Sequence, residues 1–162
     1  MSGALDAVSP RAFRDACGAF ATGVAVVSTR ARGRAHAMTV NSFASVSLGL
    51  PLVVWSLCRA SRLCGVFREA GHFAVSVLAG DQQPIAARFA GRGDPFGPDL
   101  ALIAPEGRGP LIPGALAHLD CDTHAVLEGG DHLMLVGQVR RLGLGSGAPL
   151  LFFSGRFETL AG

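Results

Sequence analysis

Residues 117–142, AHLDCDTHAVLEGGDHLMLVGQVRRL, decide the fold class of this chain. Ala117 to Glu128 and His132 to Leu142 are each long enough for a strand, and Gly129-Gly130-Asp131 lies between them. Glycine and aspartate suit the backbone of a tight hairpin turn. The stretch therefore predicts two long antiparallel strands joined directly to each other.

Further strands are predicted on either side of this hairpin. Val24 to Thr29 is rich in β-branched residues, and a turn containing Gly33 separates it from Ala35 to Asn41, so these two strands form a second hairpin. Leu52 to Leu57 is almost entirely apolar, which predicts burial on both faces or a central place in a barrel. The other predicted strands are His72–Leu78 and Leu150–Phe153, followed by a short segment around Arg156–Leu160.

Three helices are predicted between these strands. Ser9 as N-cap and Pro10 at the first helical position start the first helix. Ser61 and Asp81 are the predicted N-caps of the second and third helices. One face of the first helix is predicted to be buried, because apolar residues recur there at helical spacing, namely Phe13, Ala16, Cys17 and Phe20.

The predicted elements indicate a mainly β chain with short helices, arranged as a small antiparallel barrel with helical decoration. A doubly wound parallel sheet is disfavoured, because strands and helices do not alternate regularly. Residues 91–114 contain six glycines and five prolines, which predicts a long loop that is functional or packs against a partner. The 162 residues form one predicted domain, with residues 1–8 as a flexible N-terminus.

Composition restricts the possible partners and location. Only 16% of the residues are charged and 49% are hydrophobic. A buried subunit interface explains this composition better than a large internal core, because a domain of this size still has much surface to cover. The 14 Lys and Arg residues are scattered, so nucleic acid is not an expected partner. Apolar runs are too short to cross a membrane, and no signal peptide is recognisable, so the expected location is the cytoplasm.

The four cysteines are not spaced like metal ligands or a redox pair. Cys58 and Cys64 have five residues between them, and Cys17 and Cys121 are distant in sequence. In a cytoplasmic chain such cysteines are expected to be small buried hydrophobic residues. No metal site is therefore predicted.

Three polar stretches are the candidates for chemistry. Thr39 to Ser47 is rich in hydroxyl and amide side chains, which either satisfy backbone groups at strand ends or contact the polar edge of a ligand. Ser56 to Arg62 joins a buried strand to a predicted helix start, so it is either a plain N-cap or a phosphate site. Gly130-Asp131-His132 is either a plain hairpin turn with a surface or structural histidine, or the place of a catalytic histidine, His132.

Taken in order, these stretches resemble the short-chain flavin reductases, the reductase partners of two-component flavin monooxygenases. FRDACGAFATGV at 13–24 resembles the start of that family, and LLFFSGRF at 150–157 resembles its C-terminal strand. Between them, TVNSF at 39–43, SVSL at 45–48 and PLV at 51–53 resemble its flavin-binding segment. The resemblance extends over nearly the whole chain, through Phe73 to Leu78, Phe89 and Gly130-Asp131-His132 in the expected order.

The resemblance implies an FMN-binding split β-barrel of Greek-key-like topology, usually a homodimer with active sites at the subunit interface. It implies reduction of FMN or FAD by NADH or NADPH and transfer of the reduced flavin to a monooxygenase. Gly130 and Asp131 would contact the nicotinamide dinucleotide, and His132 would orient it. The other implied cofactor-binding residues are Met38, Thr39, Val40, Asn41, Ser45, Val46, Ser47, Ser56, Leu57, Ser61, Arg62, Phe89, Arg156 and Phe157.

Within that set, each stretch has an implied part. Thr39, Asn41 and Ser45–Ser47 would line the flavin, whereas Ser56, Ser61 and Arg62 would hold its phosphate end. Phe89 and Arg156-Phe157 would close the pocket.

The chain departs from the family in two places. Gly49-Leu50 precedes Pro51 where an acidic residue and a second proline are frequent, and the chain has no tyrosine, so Phe153 and Phe157 stand where tyrosines are frequent. Phenylalanine keeps the aromatic face but lacks the hydroxyl hydrogen bond. Three alternatives remain at the level of sequence: a different redox enzyme on the same fold, a flavin-binding protein that is not a reductase, and a structural protein with an empty barrel.

Overall fold

The long hairpin predicted from residues 117–142 lies at the centre of the fold in a computed structural model that describes residues 7–160. Residues 1–6 of the predicted flexible N-terminus lie outside that range. The described helices are α1 (Pro10–Gly18), α2 (Cys64–Ala70) and α3 (Gln83–Ala90), with a 3-10 turn at Gly80–Gln82. The described strands are β1 (Thr22–Gly23), β2 (Ala25–Ala31), β3 (Arg34–Val40), β4 (Ala44–Ser47), β5 (Leu52–Cys58), β6 (His72–Val77), β7 (Ala117–Gly129), β8 (His132–Leu144), β9 (Leu150–Phe153) and β10 (Arg156–Thr159).

Seven strands form one antiparallel sheet in the order β3-β2-β6-β7-β8-β5-β4, and a small sheet has the order β1-β9-β10. The chain is thus a mainly β single domain with short helices and Greek-key-like strand order, as predicted. β3 and β4 follow each other in sequence but are the two outer strands of the large sheet. The residues that join them, 41–43, therefore span the opening between its two edges.

The β7–β8 turn has the geometry that its sequence predicts. Gly129 pairs with His132, so Gly130 and Asp131 are the two loop residues. Gly130 has a φ of 67°, as the first central position of a type II′ turn requires. This turn fixes His132 at the first position of β8.

The main hydrophobic core lies against the inner face of the large sheet. Trp55 is fully buried and packs edge-on against Phe67 and Phe73, with ring centroids 4.9 and 5.8 Å apart. Gly137 on β8 makes this packing possible, because a Cβ there would overlap the Phe73 ring and lie 2.9 Å from Cys121 Cβ. A glycine is therefore required where the strand passes closest to the core.

A second buried cluster lies between the sheet, α3 and the long loop. Leu78, Phe89, Ile112 and Leu150 are each at most 3% exposed in this cluster. The predicted loop at residues 91–114 is confirmed, with an isolated bridge between Ile103 and Leu111. The loop contributes to the core, since Ile112 and other apolar loop residues cover the second cluster.

Five charged side chains attach this loop to the sheet. Arg108 donates to Asp120 Oδ1 at 2.7 Å, to Asp122 Oδ1 at 3.0 Å and to the Cys121 carbonyl at 3.0 Å. Arg141 and Arg140 donate to the other carboxylate oxygens of Asp120 and Asp122. We call these five residues the loop clamp. The clamp raises the pKa of Arg108 through its two carboxylate partners, against an opposing effect of burial that is the largest single contribution.

The first helix differs from its prediction. Ser9 caps α1 as expected, since its Oγ accepts a hydrogen bond from the Ala12 N–H at 3.2 Å. However, no residue of α1 is buried, and Phe13 and Phe20 are 63% and 77% exposed. The helical spacing correctly predicted an apolar side, but no part of residues 7–160 buries it.

Local predictions about strand and cysteine burial also need correction. β5 alternates between buried and half-buried positions, so only one of its faces is deep in the core. Among the cysteines only Cys121 is buried, and burial raises the pKa of its thiol to about 12. Cys17 is exposed, because it lies on the uncovered helix α1.

Candidate functional site

The three polar stretches singled out in the sequence meet at one end of β5. The Ser42 hydroxyl lies 3.3 Å from the Ser56 carbonyl and accepts from the Ser56 N–H at 3.0 Å, which connects the first stretch to the second. Cys58 at the end of β5 pairs with His132 at the start of β8, which connects the second stretch to the third. The sheet register therefore assembles residues that are up to 90 positions apart, from Ser42 to His132.

The third stretch presents a histidine with a defined partner. His132 Nδ1 lies 2.8 Å from Asp131 Oδ1, and the His132 side chain is 42% exposed. This hydrogen bond is the main reason that the pKa of Asp131 is lowered. The aspartate orients the ring, so its other nitrogen, Nε2, is available to a ligand.

Arg59 holds this turn in place, whereas the sequence suggested it only as one of two arginines beside a phosphate site. Its Nε donates to the Gly130 carbonyl at 3.0 Å, its backbone N–H donates to the Asp131 carbonyl at 2.9 Å, and its guanidinium pairs with Glu128. The only sequence signal was its position directly after the buried strand β5. Its partners are about 70 residues away, so spacing alone did not reveal them.

The second stretch does not end in the helix start that was predicted. α2 begins at Cys64 with Leu63 as N-cap, and Ser61 Oγ instead accepts from the Leu63 N–H at 3.2 Å. A seven-residue helix offers little dipole potential, so side chains carry the anion-binding capacity of this turn. Arg62 is the charged side chain there, and it donates to the Gly93 carbonyl at 2.8 Å.

A first cavity, of about 470 Å³, lies beside the outer strand β3 and next to this turn. Arg34, His36, Arg62 and Asp94 give it polar walls. Apolar walls come from Ala35, Ala37, Leu63, Val66, Pro95 and Phe96. Its volume is in the range of small-molecule sites.

A second cavity, of about 570 Å³, lies between α1, the β9–β10 turn and the end of β3. Asn41 lines it, which agrees with the expectation that this residue faces a ligand. The buried hydroxyl of Thr22 also lines it and has no hydrogen-bond partner within the described residues. A ligand with a polar edge would supply that partner.

The residues of the first stretch and its neighbour Met38 differ in how deeply their side chains are buried and in what they contact. Ser45 and Val46 are exposed on β4, and Val46 is 54% exposed. Thr39 Oγ1 donates to the Ala86 carbonyl at 2.7 Å, so this hydroxyl also anchors α3. Met38 and Ser47 are half-buried.

Three predicted cofactor-binding side chains belong to the core instead. Val40 and Leu57 are 7% and 0% exposed in the main core, because alternation along β3 and β5 turns them inward. Phe89 is 3% exposed in the second cluster, so it does not close a pocket itself. It supports the first cavity indirectly, since its ring packs edge-on against Phe96 at 5.5 Å.

The C-terminal pair lies by the second cavity rather than by the junction of the three stretches. Phe157 packs edge-on against Phe152, which lines that cavity, with ring centroids 5.5 Å apart. Arg156 is exposed at the start of β10.

These features define a mainly β domain with two described cavities. The three polar stretches meet at the end of β5, where they bring together the hydroxyls of Ser42 and Ser56, the guanidinium of Arg59 and the imidazole of His132. Within residues 7–160 no helix is long and apolar enough to cross a membrane. In the same residues, no group of three or more His, Cys, Asp or Glu side chains is placed to hold a metal ion.

Comparison with known proteins identifies the family. The model of the flavin reductase like domain matches residues 17–161. The chain is 46% identical to the FMN reductase (NADH) SmoA of Agrobacterium fabrum, over 91% of this chain and 84% of that protein. It is 38% identical to HsaB of Rhodococcus jostii, the reductase subunit of a flavin-dependent monooxygenase, over 95% of this chain and 80% of that one.

A solved structure gives the same result at the level of the fold. NADH:FAD oxidoreductase SgcE6 of Streptomyces globisporus, in complex with NAD and FAD fragments, superimposes with a TM-score of 0.89 at 36% identity. The match covers 97% of this chain and 98% of SgcE6. The chain therefore belongs to the flavin reductase family and has its split-barrel fold.

Proposed function

We propose that this protein uses NADH to reduce FMN or FAD and supplies the reduced flavin to a separate monooxygenase. The observation that carries the proposal is the junction of Ser42, Ser56 and His132 at the ends of β5 and β8. Membership of the flavin reductase family supports it, and so do the relatives, which are reductases that use NADH or serve a monooxygenase.

The residues present fit a flavin and a nicotinamide dinucleotide. A flavin has a planar ring with a polar edge and an anionic phosphate. Asn41 and the unpartnered hydroxyl of Thr22 offer hydrogen bonds to such an edge, and Ser61 with Arg62 offers a hydroxyl and a guanidinium to a phosphate. These donors would hold the cofactor at the edge of the large sheet.

The bound cofactors supply the electronic chemistry, as nicotinamide gives a hydride and flavin accepts it. The protein contributes position and exclusion of water, so no general base is required. His132, oriented by Asp131, would hold the carboxamide or pyrophosphate of the dinucleotide. Arg59 would keep that histidine in place through its bonds to the turn.

The proposal includes a homodimer in the cytoplasm. Phe13 and Phe20 on and after α1, and Val46, Leu48 and Leu50 around β4, are between 41% and 92% exposed. Exposed apolar side chains in such number are typical of surfaces that contact another protein. A second copy would cover them, and it would also border the second cavity, which residues of the uncovered helix α1 line.

The test is NADH and NADPH oxidation by the purified protein, followed by loss of nicotinamide absorbance, with and without FMN, FAD or riboflavin. Oxidation that depends on added flavin and saturates with it is expected, with NADH preferred. A folded protein that binds flavin without oxidising either nucleotide would instead be a flavin-binding protein. A folded protein that does neither would overturn the proposal altogether.

Replacement of His132 by alanine tests its assigned role. We expect the KM for NADH to rise about tenfold, because a hydrogen bond to a polar ligand group is lost, while the KM for flavin changes little. His124→Ala is the matched control, since His124 is an exposed histidine on the neighbouring strand β7. Equal NADH kinetics in the two variants would remove His132 from the site.

A further inference from the structure

Arg88, in the last turn of α3, is bound on all sides by the segment that follows the helix. Its Nε donates to the Pro95 carbonyl at 2.6 Å. Its Nη1 and Nη2 donate to the two carboxylate oxygens of Asp99, at 2.6 and 3.0 Å. One guanidinium group therefore holds both ends of residues 95–99 against α3. We call Arg88 and Asp99 the α3 pair, and residues 93–99 the wall segment.

The wall segment closes tightly around the α3 pair. A Cβ at Gly97 would lie 2.5 Å from Asp99 Oδ1 and 2.7 Å from Arg88 Nη2, so a larger residue there would displace one of these side chains. The hydrogen bonds from Arg88 are the main reason that the pKa of Asp99 is lowered to about 2, so this carboxylate is charged at neutral pH. A paired bond between a planar guanidinium and a carboxylate fixes direction as well as distance. The α3 pair therefore sets the path of the wall segment.

The wall segment also borders the first cavity and contacts Arg62. Pro95 and Phe96 line that cavity, and the Phe96 ring packs edge-on against Phe89 of α3 at 5.5 Å. At the start of the segment, the Gly93 carbonyl accepts a hydrogen bond from Arg62 Nη2 at 2.8 Å. The direction of the Arg62 guanidinium thus depends on a backbone group whose place the wall segment determines.

Arg62 needs such a restraint because of where it lies. It is exposed in the turn before α2. Within residues 7–160 its guanidinium forms no ion pair with a carboxylate. A long exposed side chain loses much rotamer freedom when it is held in one direction. The contact with Gly93 meets part of that cost before any ligand binds.

We propose that Arg88 is a positioning residue for flavin binding, which acts through the wall segment to direct Arg62 at the flavin phosphate. The inference rests on the proposed function, in which Ser61 and Arg62 hold that phosphate. Arg88 itself is not among the residues that line the first cavity, so its effect on a ligand is indirect. The effect should concern the phosphate end of the flavin and not its ring.

Titration with FMN and with riboflavin tests this role, because the two flavins share their ring and differ in the phosphate. Flavin fluorescence is followed as flavin-free protein is added. We expect the unmodified protein to bind FMN about tenfold more tightly than riboflavin. Arg88→Met should weaken FMN binding about fivefold and leave riboflavin binding within about twofold. Equal weakening for both flavins would show a merely structural role and overturn the proposal, and so would unchanged binding of FMN.

Two further variants serve as controls. Arg68→Met removes an exposed arginine in the last turn of α2 and should leave the affinity for both flavins within about twofold. Asp99→Asn weakens the α3 pair from its other side, and it should lower the preference for FMN in the same direction as Arg88→Met. It also provides the test if Arg88→Met does not fold. An unchanged preference in Asp99→Asn, or an equal loss in Arg68→Met, would overturn the proposal.

Arg62→Met distinguishes failure of this inference from failure of the phosphate assignment. It should remove most of the preference for FMN, and Arg88→Met should add little in the double variant, because Arg88 acts through Arg62. If Arg62→Met leaves the preference intact, the phosphate assignment is wrong and the inference falls with it. If Arg62→Met removes the preference and Arg88→Met does not change it, the inference alone is wrong. These titrations measure binding, so they give a result whether or not the protein oxidises NADH.

Discussion

The loop clamp and the first cavity beside β3, which is called the arginine groove here after Arg34 and Arg62, contain the same kind of side chain in opposite electrostatic circumstances. In the clamp, Arg108 is 21% exposed and shares two carboxylates with two other arginines, and each of its three guanidinium nitrogens donates a hydrogen bond. In the groove, Arg34 has no carboxylate partner among residues 7–160, and its neighbours are another arginine and a histidine.

The difference shows how charge is divided between stability and binding. Partly buried charges that satisfy one another stabilise the fold, because removing one leaves its partners unpaired. Like charges left together beside a cavity contribute nothing to the fold and are available to an anionic ligand. The same substitution, arginine to methionine, should therefore have opposite consequences in the two regions.

The largest expected effect is at the clamp. Arg108→Met removes three hydrogen bonds and leaves Asp120, whose side chain is 12% exposed, with Arg141 alone. We expect the free energy of unfolding to fall by about 2 kcal/mol, with flavin affinity unchanged. Urea denaturation measures the first and fluorescence titration the second. A stability loss no greater than that of Arg11→Met, which breaks an exposed pair, would contradict the role of the clamp.

The pH dependence of stability gives a second, smaller difference. Hydrogen bonds from Arg140 and Arg108 lower the pKa of Asp122 below its ordinary value of 3.8. The ionised carboxylate therefore stabilises the fold above pH 3.8, and this contribution is lost as the pH falls through the lower folded-state pKa. Asp122→Asn should have a lower Tm than the unmodified protein at about pH 5, with the gap closing towards about pH 2. A constant gap in thermal melts would show that the carboxylate charge does not contribute.

In the groove the titrating group is His36, and its surroundings disfavour its charged form, whereas those of Asp122 favour the charged form. Burial, Arg34 and Arg62 hold the pKa of His36 below 6.5, so its charged form is the unfavourable one in the folded protein. Asp94 lines the same cavity and acts against this. We expect NMR titration of the ring protons to give a pKa below 6.5 that is higher in Arg34→Met, because one of the positive charges is then removed. An unchanged pKa in that variant would show that Arg34 does not contribute to the potential at His36.

The smallest expected effect is the stability of Arg34→Met. Its guanidinium lies among like charges, so its removal should change the free energy of unfolding by no more than about 0.5 kcal/mol, towards greater stability. Urea denaturation of Arg34→Met and Arg108→Met side by side compares the free energies of unfolding of the two variants directly. A loss as large as that of Arg108→Met would mean that Arg34 has a structural partner and is not reserved for a ligand.

Much of the fold follows from local sequence. The turn at Gly130-Asp131, the N-cap at Ser9 and the loop between residues 91 and 114 are all present where they were predicted. These features depend on backbone preferences of a few neighbouring residues, which sequence expresses directly. The two long strands on either side of the turn follow for the same reason.

The candidate site was predictable only in part. Four candidate residues were predicted because an ordered set of stretches resembles a family: Asn41, Ser56, Arg62 and His132. Asn41 and Arg62 line cavity walls in the structure. Ser56 and His132 lie where the three polar stretches meet. Phe89 was predicted to close the pocket and lies in the second buried cluster, because sequence does not distinguish an aromatic residue in the core from one beside a ligand. The contact of Arg59 with the β7–β8 turn was not predicted, since its partners come from a distant hairpin.

The sequence by itself determined the mainly β architecture, the hairpin turns and the residue types available for binding. Only the tertiary structure decided which charges are paired. Arg108 meets Asp120 and Asp122 because the loop folds back onto β7. Arg34 and His36 of β3, by contrast, meet Arg62 and Asp94 of two separate loops, without enough carboxylates to neutralise the arginines. Electrostatic energy depends on distance in space, and distance in space between remote residues is fixed only when the chain has folded.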